Sequence, residues 1–242
     1  MKLLIIRHCD PDYSIDGLTP KGQQEVKLLT KRLVKENIDH LYCSPLGRAR
    51  LTAEPTAKIL GKEPIIVDWA REFFYCPVKP EYRDEPDCCW DILPGYLKSR
   101  NDIYDPEDWK NVDFVKESEV PVSYDKVIKE FDAFLAKHGY ERDGNCYKVT
   151  RSNHETVALV CHFGITAVLM SRLLNCSPYT LWQNCVTMPS SVTTLFTEER
   201  REGTAAFRCC GMGDISHLYA GDEEPSFHAR FCECFSDDTR HD

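Results

Sequence analysis

The sequence has no surplus of positive charge and no long hydrophobic run. It carries 30 lysines and arginines against 39 aspartates and glutamates, a net charge of −9 at pH 7. Proteins that bind nucleic acid present a basic face, so we do not expect a nucleic-acid partner. No stretch reaches the ~18 apolar residues of a membrane span, and the first apolar run stops at Arg7. We therefore expect no membrane partner and no signal peptide.

Linkers and repeats are also missing. No segment rich in proline, glycine or serine divides the 242 residues, and no segment repeats. A hydrophobic content of 42% with 29% charged residues is ordinary for a globular protein. The length suits one large α/β domain, so we expect a single domain over 1–242.

Cysteine, in contrast, is abundant, with thirteen residues. The adjacent pairs at 88–89 and 209–210 and the alternating pair at 232 and 234 do not have the spacing of structural zinc sites. In a chain without an export signal, free thiols in a reducing compartment are expected. We therefore predict a cytoplasmic protein with no metal site and no cofactor.

Short apolar runs alternate with amphipathic segments over much of the chain. The runs typical of buried strands are Leu3–Ile6, Ile38–Cys43, Ile65–Val67 and Thr156–Cys161. The segments that predict helices start at Pro20 after a Thr19 cap, run from Pro45 to about Leu60 between Ser44 and Gly61, and include Val127–Leu135 and Ile165–Leu174. This alternation predicts a three-layer α/β/α fold with a doubly wound, mostly parallel sheet.

Two regions depart from the alternation. From about Phe73 to Val120 the chain is irregular and rich in proline, tyrosine and tryptophan, so we predict an insertion over about 73–150. Such an insertion forms a lid-like cap over a substrate or packs its aromatic side chains on the core. Val192–Phe196 and Ala205–Cys209 predict a late hairpin at the sheet edge.

The predicted strand ends carry the residues that point to chemistry. Arg7-His8 follows the first strand, Ser44 and Arg48 follow the second, Glu72 follows the third, and His162 follows the run that ends at Cys161. Ligands of open α/β sheets bind beyond the carboxyl ends of the strands. Two arginines, two histidines and a carboxylate at one edge predict a compact anion site.

The ordered set of motifs resembles the histidine phosphatase superfamily, which includes the cofactor-dependent phosphoglycerate mutases. Arg7-His8 is similar to its first motif, Ser44–Ala53 to its arginine-bearing second motif, and Cys161–Gly164 to its second histidine motif. Trp69–Glu72 stands where the family has an acid-bearing loop. The similarity extends over roughly 1–75 and 155–200.

The resemblance implies a role for each of these residues. His8 would be the nucleophile, Arg7 and Arg48 would bind phosphate, and His162 would act in both catalysis and phosphate binding. Glu72 would exchange protons with the leaving group and water. We therefore expect a metal-independent phosphomonoester hydrolase that acts through phosphohistidine on a phosphorylated small molecule. Arginines would supply the positive charge that a metal supplies elsewhere.

Several departures and alternatives remain open at this point. Cys9 replaces the usual glycine, and it is either an oxidation-prone thiol beside Arg7 or a buried packing residue. Asp10 is an alternative acid to Glu72. Ser14 stands where the mutases have an asparagine, which favours a phosphatase over a phosphoglycerate mutase-type phosphotransferase. A catalytically inactive phosphate-binding domain is the third reading. Two further arginines are not assigned to the site: we expect Arg50 to be solvated and Arg71 to make a core salt bridge.

Overall fold

The computed structural model describes residues 1–74, 76–228 and 230–236. The strands are β1 (Lys2–Arg7), β2 (Pro11–Asp12), β3 (Gly17–Leu18), β4 (His40–Cys43), β5 (Ile65–Ile66), β6 (Tyr140–Asp143), β7 (Cys146–Val149), β8 (Thr156–Cys161), β9 (Val192–Arg201) and β10 (Thr204–Asp214). The α-helices are α1 (Pro20–Leu33), α2 (Gly47–Leu60), α3 (Pro94–Leu97), α4 (Asp113–Lys116), α5 (Val120–Lys137), α6 (Phe163–Leu174), α7 (Pro178–Asn184) and α8 (Ser216–Tyr219).

One sheet organises the molecule, with the strand order β5-β4-β8-β1-β9-β10-β7-β6. β5, β4, β8 and β1 are parallel neighbours, whereas β9 and β7 run against the other strands. Strands β2 and β3 form a separate small pair. The predicted α/β fold with a mostly parallel sheet is confirmed.

Alternate residues of the central strands enter two different cores, as the period of a strand requires. In β1, Leu3 and Ile5 pack in the core that includes α5, α6 and α7, whereas Leu4 and Ile6 pack in the core that includes α1 and α2. The apolar run of β1 therefore exists because both of its faces are covered. Helices on both faces of the sheet give the three predicted layers.

The starts of the first two helices show where local signals succeed and where they fail. α1 begins as predicted: Pro20 is at its first turn, and the Thr19 hydroxyl accepts a hydrogen bond from the Gly22 amide. α2 begins at Gly47 rather than at Pro45, and its N-cap Leu46 offers no side-chain hydrogen bond. Ser44 is not the cap because it stands two residues before Leu46; its hydroxyl accepts from the Leu46 amide at 3.3 Å and contacts the His162 ring at 2.7 Å.

The predicted insertion divides into two parts. Up to residue 119 it consists of short helices, single 3₁₀ turns and loops, and many of its apolar side chains, such as Trp109 and Val115, are buried in the core. The later part forms α5 and then β6 and β7, which belong to the main sheet.

The late hairpin is real, but its predicted place at the sheet edge is wrong. β9 pairs with β1 on one side, and β10 pairs with β7 on the other, so β6 forms the edge. Tyr140 and Tyr147 pack against Phe207, with ring centroids 5.7 and 4.9 Å away, and hold these two strands on the sheet. Four-residue strands around a tight turn are too short to give a periodic signal.

Candidate active site

The site lies where β1, β4 and β8 end. Arg7 is in register with Cys161, and Cys43 with Val160, so His8, Ser44 and His162 follow at one level of the sheet. The imidazole rings of His8 and His162 lie 5.1 Å apart between centroids. The sheet thus brings together two histidines that are 154 positions apart in the sequence.

The hydrogen bonds of His8 define its proton position. Its Nδ1 lies 2.7 Å from the carbonyl oxygen of Cys9, which can only accept, so Nδ1 carries the proton. Its Nε2 accepts a hydrogen bond from Nε of Arg48 at 3.3 Å. Both contacts require the same neutral tautomer, in which the lone pair is on Nε2, so Nε2 is the potential nucleophile.

Burial and positive charge keep both site histidines neutral. Burial, with a further effect from Arg7, holds the pKa of His8 well below its usual value, although the bond to the Cys9 carbonyl acts in the opposite direction. Burial, followed by the nearby His8 ring and the Arg48 cation, lowers the pKa of His162 in the same way. Neither ring therefore needs to lose a proton at neutral pH to act as a base or nucleophile.

A short chain of hydrogen bonds orients His162. Ser44 Oγ accepts from the Leu46 amide at 3.3 Å and lies 2.7 Å from His162 Nε2, where either atom can be the donor. His162 Nδ1 is buried without a partner in the described part of the chain. An unpaired buried ring nitrogen is costly, so a bound anion would favour the tautomer in which Nδ1 carries the proton and donates to it.

Arg7 is a buried cation with one end fixed. Its Nη1 donates to the carbonyl of Thr187 at 2.6 Å, and its guanidinium lies 5.4 Å from the Phe163 ring centroid. Its Nε is a second buried donor that no described residue satisfies. Burial lowers the pKa of Arg7, but an arginine stays charged in proteins.

Arg48 is held at the start of α2 by Asp16, a residue that the sequence analysis missed. One oxygen of Asp16 accepts from Arg48 Nη1 at 2.5 Å, and the other accepts from the Gly47 amide at 2.6 Å. A Cβ on Gly47 would lie 2.2 Å from the Asp16 carbonyl oxygen, so glycine is required there. Arg50 is exposed, as expected for a residue on another face of the helix.

Glu72 connects the third strand end to the start of α6. Its Oε1 accepts hydrogen bonds from the amides of Phe73 at 2.7 Å and Ile165 at 3.0 Å. The side chain is buried, and fixing one oxygen leaves Oε2 for a reacting group. The neighbouring Arg71 does not make the predicted core salt bridge, because it is exposed and its partner at 3.6 Å, Asp68, is exposed as well.

Trp90 brings the irregular segment to the site. A Cβ on Gly164 would lie 2.3 Å from the Trp90 ring and 2.8 Å from Glu72 Oε1, so only glycine fits between them. The ring also lies edge-on to Phe163, with centroids 5.8 Å apart. Trp90 is therefore positioned to line the approach to the site.

Asp10, the alternative acid, is engaged by residues from near the other end of the chain. Its carboxylate accepts from Thr19 and Ser226 and contacts His228 Nδ1 at 2.5 Å. Burial raises the pKa of Asp10, but these hydrogen bonds outweigh burial and lower it. No local pattern signals the contacts of Ser226 and His228, which join residues more than 200 positions apart.

The C-terminal segment, residues 224–228 and 230–236, covers both sides of the site. His228 lies edge-on to Tyr13, with centroids 5.9 Å apart, and Phe231 contacts the Phe163 ring at 5.6 Å. None of the five residues assigned to the site exceeds 7% exposure; they are Arg7, His8, Arg48, Glu72 and His162. The site is closed in this structure.

Cys9 is a packing residue. Its thiol is fully buried in the core formed with α1 and α2, and burial raises its pKa well above the usual range. Its backbone is not in the left-handed region, so the position does not need glycine. Desolvation therefore favours the thiol over a thiolate stabilised by Arg7.

Comparison with known proteins relates this geometry to a family. A model of the histidine phosphatase superfamily, branch 1, matches residues 3–86. A probable phosphatase of Schizosaccharomyces pombe is 25% identical over 90% of this chain and 95% of its own length. A probable phosphoglycerate mutase of Photorhabdus laumondii is 33% identical, but over 30% of this chain and 38% of its own.

The solved structures include a phosphoserine phosphatase of Entamoeba histolytica in complex with phosphoserine. It is 18% identical, covers 90% of this chain and 98% of its own, and has a TM-score of 0.59, so the two share a fold. The predicted resemblance to the histidine phosphatase superfamily is confirmed by the family model over residues 3–86. The similarity to the Schizosaccharomyces pombe phosphatase extends over nine tenths of the chain.

Proposed function

We propose that this chain hydrolyses phosphomonoesters by way of a phosphohistidine on Nε2 of His8. The state of His8 carries the proposal, because its proton is fixed on Nδ1 by the Cys9 carbonyl and its Nε2 lies 3.3 Å from Nε of Arg48. A neutral nitrogen beside a cation can attack an anionic ester that this cation also attracts. The phosphatase relative that matches nine tenths of the chain supports the same reaction class.

In the first step, Arg48 Nε transfers its hydrogen bond from His8 Nε2 to a phosphoryl oxygen. The Nε2 lone pair then forms a bond to phosphorus, and the bond from phosphorus to the ester oxygen breaks. Arg7 and Arg48 receive the phosphoryl oxygens, and His162 adds the donor at Nδ1 that lacks a partner among the described residues. The departing oxygen keeps the electron pair and takes a proton from Glu72. Positioned charge performs most of this catalysis.

In the second step, water attacks phosphorus and the bond from phosphorus to Nε2 breaks. Glu72 accepts a proton from this water, which returns the carboxyl group to its starting state. His8 regains its lone pair, and inorganic phosphate leaves. Glu72 thus gives one proton to the leaving group and recovers one from water, so the protons of the cycle balance without a metal ion.

We infer that the substrate is a small phosphorylated molecule that the closed site can enclose. Trp90 and Phe163 would line the pocket for its leaving group, which gives the irregular segment the role of a cap. Phosphoserine is the first compound to test, since the Entamoeba relative was solved with it. The thirteen cysteines form no disulfide, which suits the cytoplasmic location that we propose. None of the helices in the described ranges is long and apolar enough to cross a membrane.

The test measures release of phosphate from a panel of phosphorylated metabolites in water enriched in ¹⁸O, with EDTA present. We expect one ¹⁸O atom in each released phosphate, because water attacks phosphorus in the second step. Activity that disappears in EDTA and returns with a metal ion would contradict the metal-independent reaction.

A phosphoglycerate mutase is the competing function, and it shares the first step. A mutase keeps the phosphohistidine from water until a second acid accepts the phosphoryl group. Conversion of one phosphoglycerate isomer to the other without release of phosphate would identify it in the same experiment. The relative named as a mutase covers less than a third of this chain, so the hydrolase is the better supported function.

A further inference from the structure

A second group of ionisable side chains lies where β4 and β8 begin, at the end of these strands opposite to the phosphoryl-transfer site. His40 is the first residue of β4, Glu155 directly precedes β8, and His138 directly follows α5. The six residues of β8 separate Glu155 from His162, a distance of roughly 20 Å along a strand. This group is therefore separate from the phosphoryl-transfer site.

The three side chains direct one potential ligand atom each to a common point. Glu155 Oε2 lies 2.9 Å from His138 Nδ1 and 3.8 Å from His40 Nε2, and the three atoms all lie within 4.8 Å of one another. Ligands about 2.1 Å from a tetrahedral ion are about 3.4 Å from each other. The observed separations bracket this value, so small side-chain rotations would complete the geometry.

The partners around these ligands also fit a metal site. His138 Nε2 lies 3.1 Å from the Tyr42 hydroxyl, and Glu155 Oε1 accepts from Arg151 Nη1 at 2.7 Å. Metal-binding imidazoles and carboxylates usually have such a partner on their second atom, which fixes the orientation of the first. His138 is buried and His40 is partly exposed, so the group is both ordered and open to solvent.

We propose that His40, His138 and Glu155 bind one divalent transition-metal ion, with water in the remaining position. Two imidazoles and a carboxylate suit Zn²⁺, Co²⁺ or Ni²⁺ and not the larger, harder Ca²⁺. Binding would replace the hydrogen bond between His138 Nδ1 and Glu155: the Nδ1 proton passes to solvent, Nε2 takes up a proton in its place, and Nε2 then donates to the Tyr42 hydroxyl oxygen. The ion would join the end of α5 to the starts of β4 and β8, away from the reaction.

The test uses Co²⁺ as the probe with the full, metal-free and reduced chain. We expect one equivalent to give the visible absorption of nitrogen and oxygen ligation and to raise Tm. His40→Gln should weaken binding at least tenfold, because it removes one ligand without disturbing the hydrogen-bonded pair. His154→Gln, at an exposed histidine beside Glu155, is the matched control and should bind as the wild type does.

Three results would overturn the proposal. They are unchanged affinity in His40→Gln, a spectrum dominated by thiolate charge transfer, and no binding by the wild type. The last result would leave His138 in a metal-free ion pair with Glu155. Phosphatase activity should be equal in the wild type, His40→Gln and His154→Gln, with or without Co²⁺, so the outcome does not depend on the proposed reaction.

Discussion

Histidines lie both at the carboxyl edge of the sheet, where β1, β4 and β8 end, and at its amino edge, where β4 and β8 begin. Their neighbours have opposite charges at the two places. At the carboxyl edge, burial and the neighbouring cations both act to lower the pKa of His8. At the amino edge, burial lowers the pKa of His138, but the carboxylate of Glu155 acts against it. The comparison teaches that the charge of its neighbours sets the chemistry of an imidazole. Neighbouring cations keep the ring neutral, with a lone pair that can attack, whereas a carboxylate makes it a metal ligand or half of an ion pair.

Substituting His8 and His40 in turn should show most clearly that only the histidine at the carboxyl edge takes part in catalysis. We expect His8→Ala to lower kcat/KM by at least about 10⁴-fold, because the nucleophile is lost, and His40→Ala to leave it unchanged. Trapping with a ³²P-labelled substrate should give an acid-labile, alkali-stable phosphoenzyme in the wild type and in His40→Ala. A label that persists in His8→Ala would show that another residue is the acceptor.

The proton donor can be tested by varying the leaving group. We expect Glu72→Gln to lower kcat for alkyl phosphates by about 10²–10⁴-fold, since their alkoxide needs a proton. The loss should be much smaller for p-nitrophenyl phosphate, whose leaving group departs as a stable anion. Equal losses with both substrates would mean that Glu72 only positions the start of α6 through its bonds to Phe73 and Ile165.

The two arginines of α2, Arg48 and Arg50, allow a controlled test of which one binds phosphate. We expect Arg48→Ala to lower kcat by about 10²–10³-fold, the usual cost of losing one donor to transition-state charge. Arg50→Ala should stay near the wild-type rate, because Arg50 is exposed two positions further along the helix. Similar defects in the two variants would contradict the assignment of Arg48 as the phosphate-binding residue.

The buried carboxyl group of Glu25, next to Asp10, should make the stability of the fold depend on pH. Burial raises the pKa of Glu25 from 4.5 to about 7, although a hydrogen bond from the Asp10 amide opposes this. The native state then holds a proton that the unfolded chain releases, so the free energy of unfolding should fall as the pH rises from about 4.5 to 7. The whole effect is on the order of 3 kcal/mol.

Glu25→Gln should remove this pH dependence, because the amide imitates the protonated carboxyl group and can still accept from the Asp10 amide. Denaturant unfolding at several pH values measures the effect, and Glu54→Gln on an exposed face of α2 is the control. A slope that is unchanged in Glu25→Gln would assign the pH dependence to another group.

The smallest effect is expected at Cys9. Peroxide should inactivate the wild type and Cys9→Gly at the same rate, because the buried thiol has a raised pKa and little thiolate. The substitution should lower the free energy of unfolding by about 1 kcal/mol through lost apolar contact. Faster inactivation of the wild type, prevented by phosphate, would show that the thiol reaches the site.

Features that depend on residues adjacent in the sequence could be predicted, whereas contacts between distant residues could not. The apolar run of β1 and the cap of Thr19 on α1 are properties of adjacent residues, and both appear as predicted. The meeting of the histidines, the arginines and Glu72 could be expected because strand ends converge in a parallel sheet, whereas their roles rest on the family resemblance and stay predictions. The ion pair of Asp16 with Arg48 could not be predicted, because no pattern of adjacent residues signals a contact between residues 32 positions apart.

The contacts of the C-terminal segment have a consequence for the order of folding. Bonds from Ser226 and His228 to Asp10 close loops of 216 and 218 residues, among the longest in the described chain. Closing such loops costs more entropy than forming local contacts, so these bonds should form after the strand ends have met. They should also be the first to open, on a faster timescale than the central strands exchange their amide hydrogens. The C-terminal segment should therefore cover the two histidines last during folding, and it should open and close while the rest of the protein stays folded.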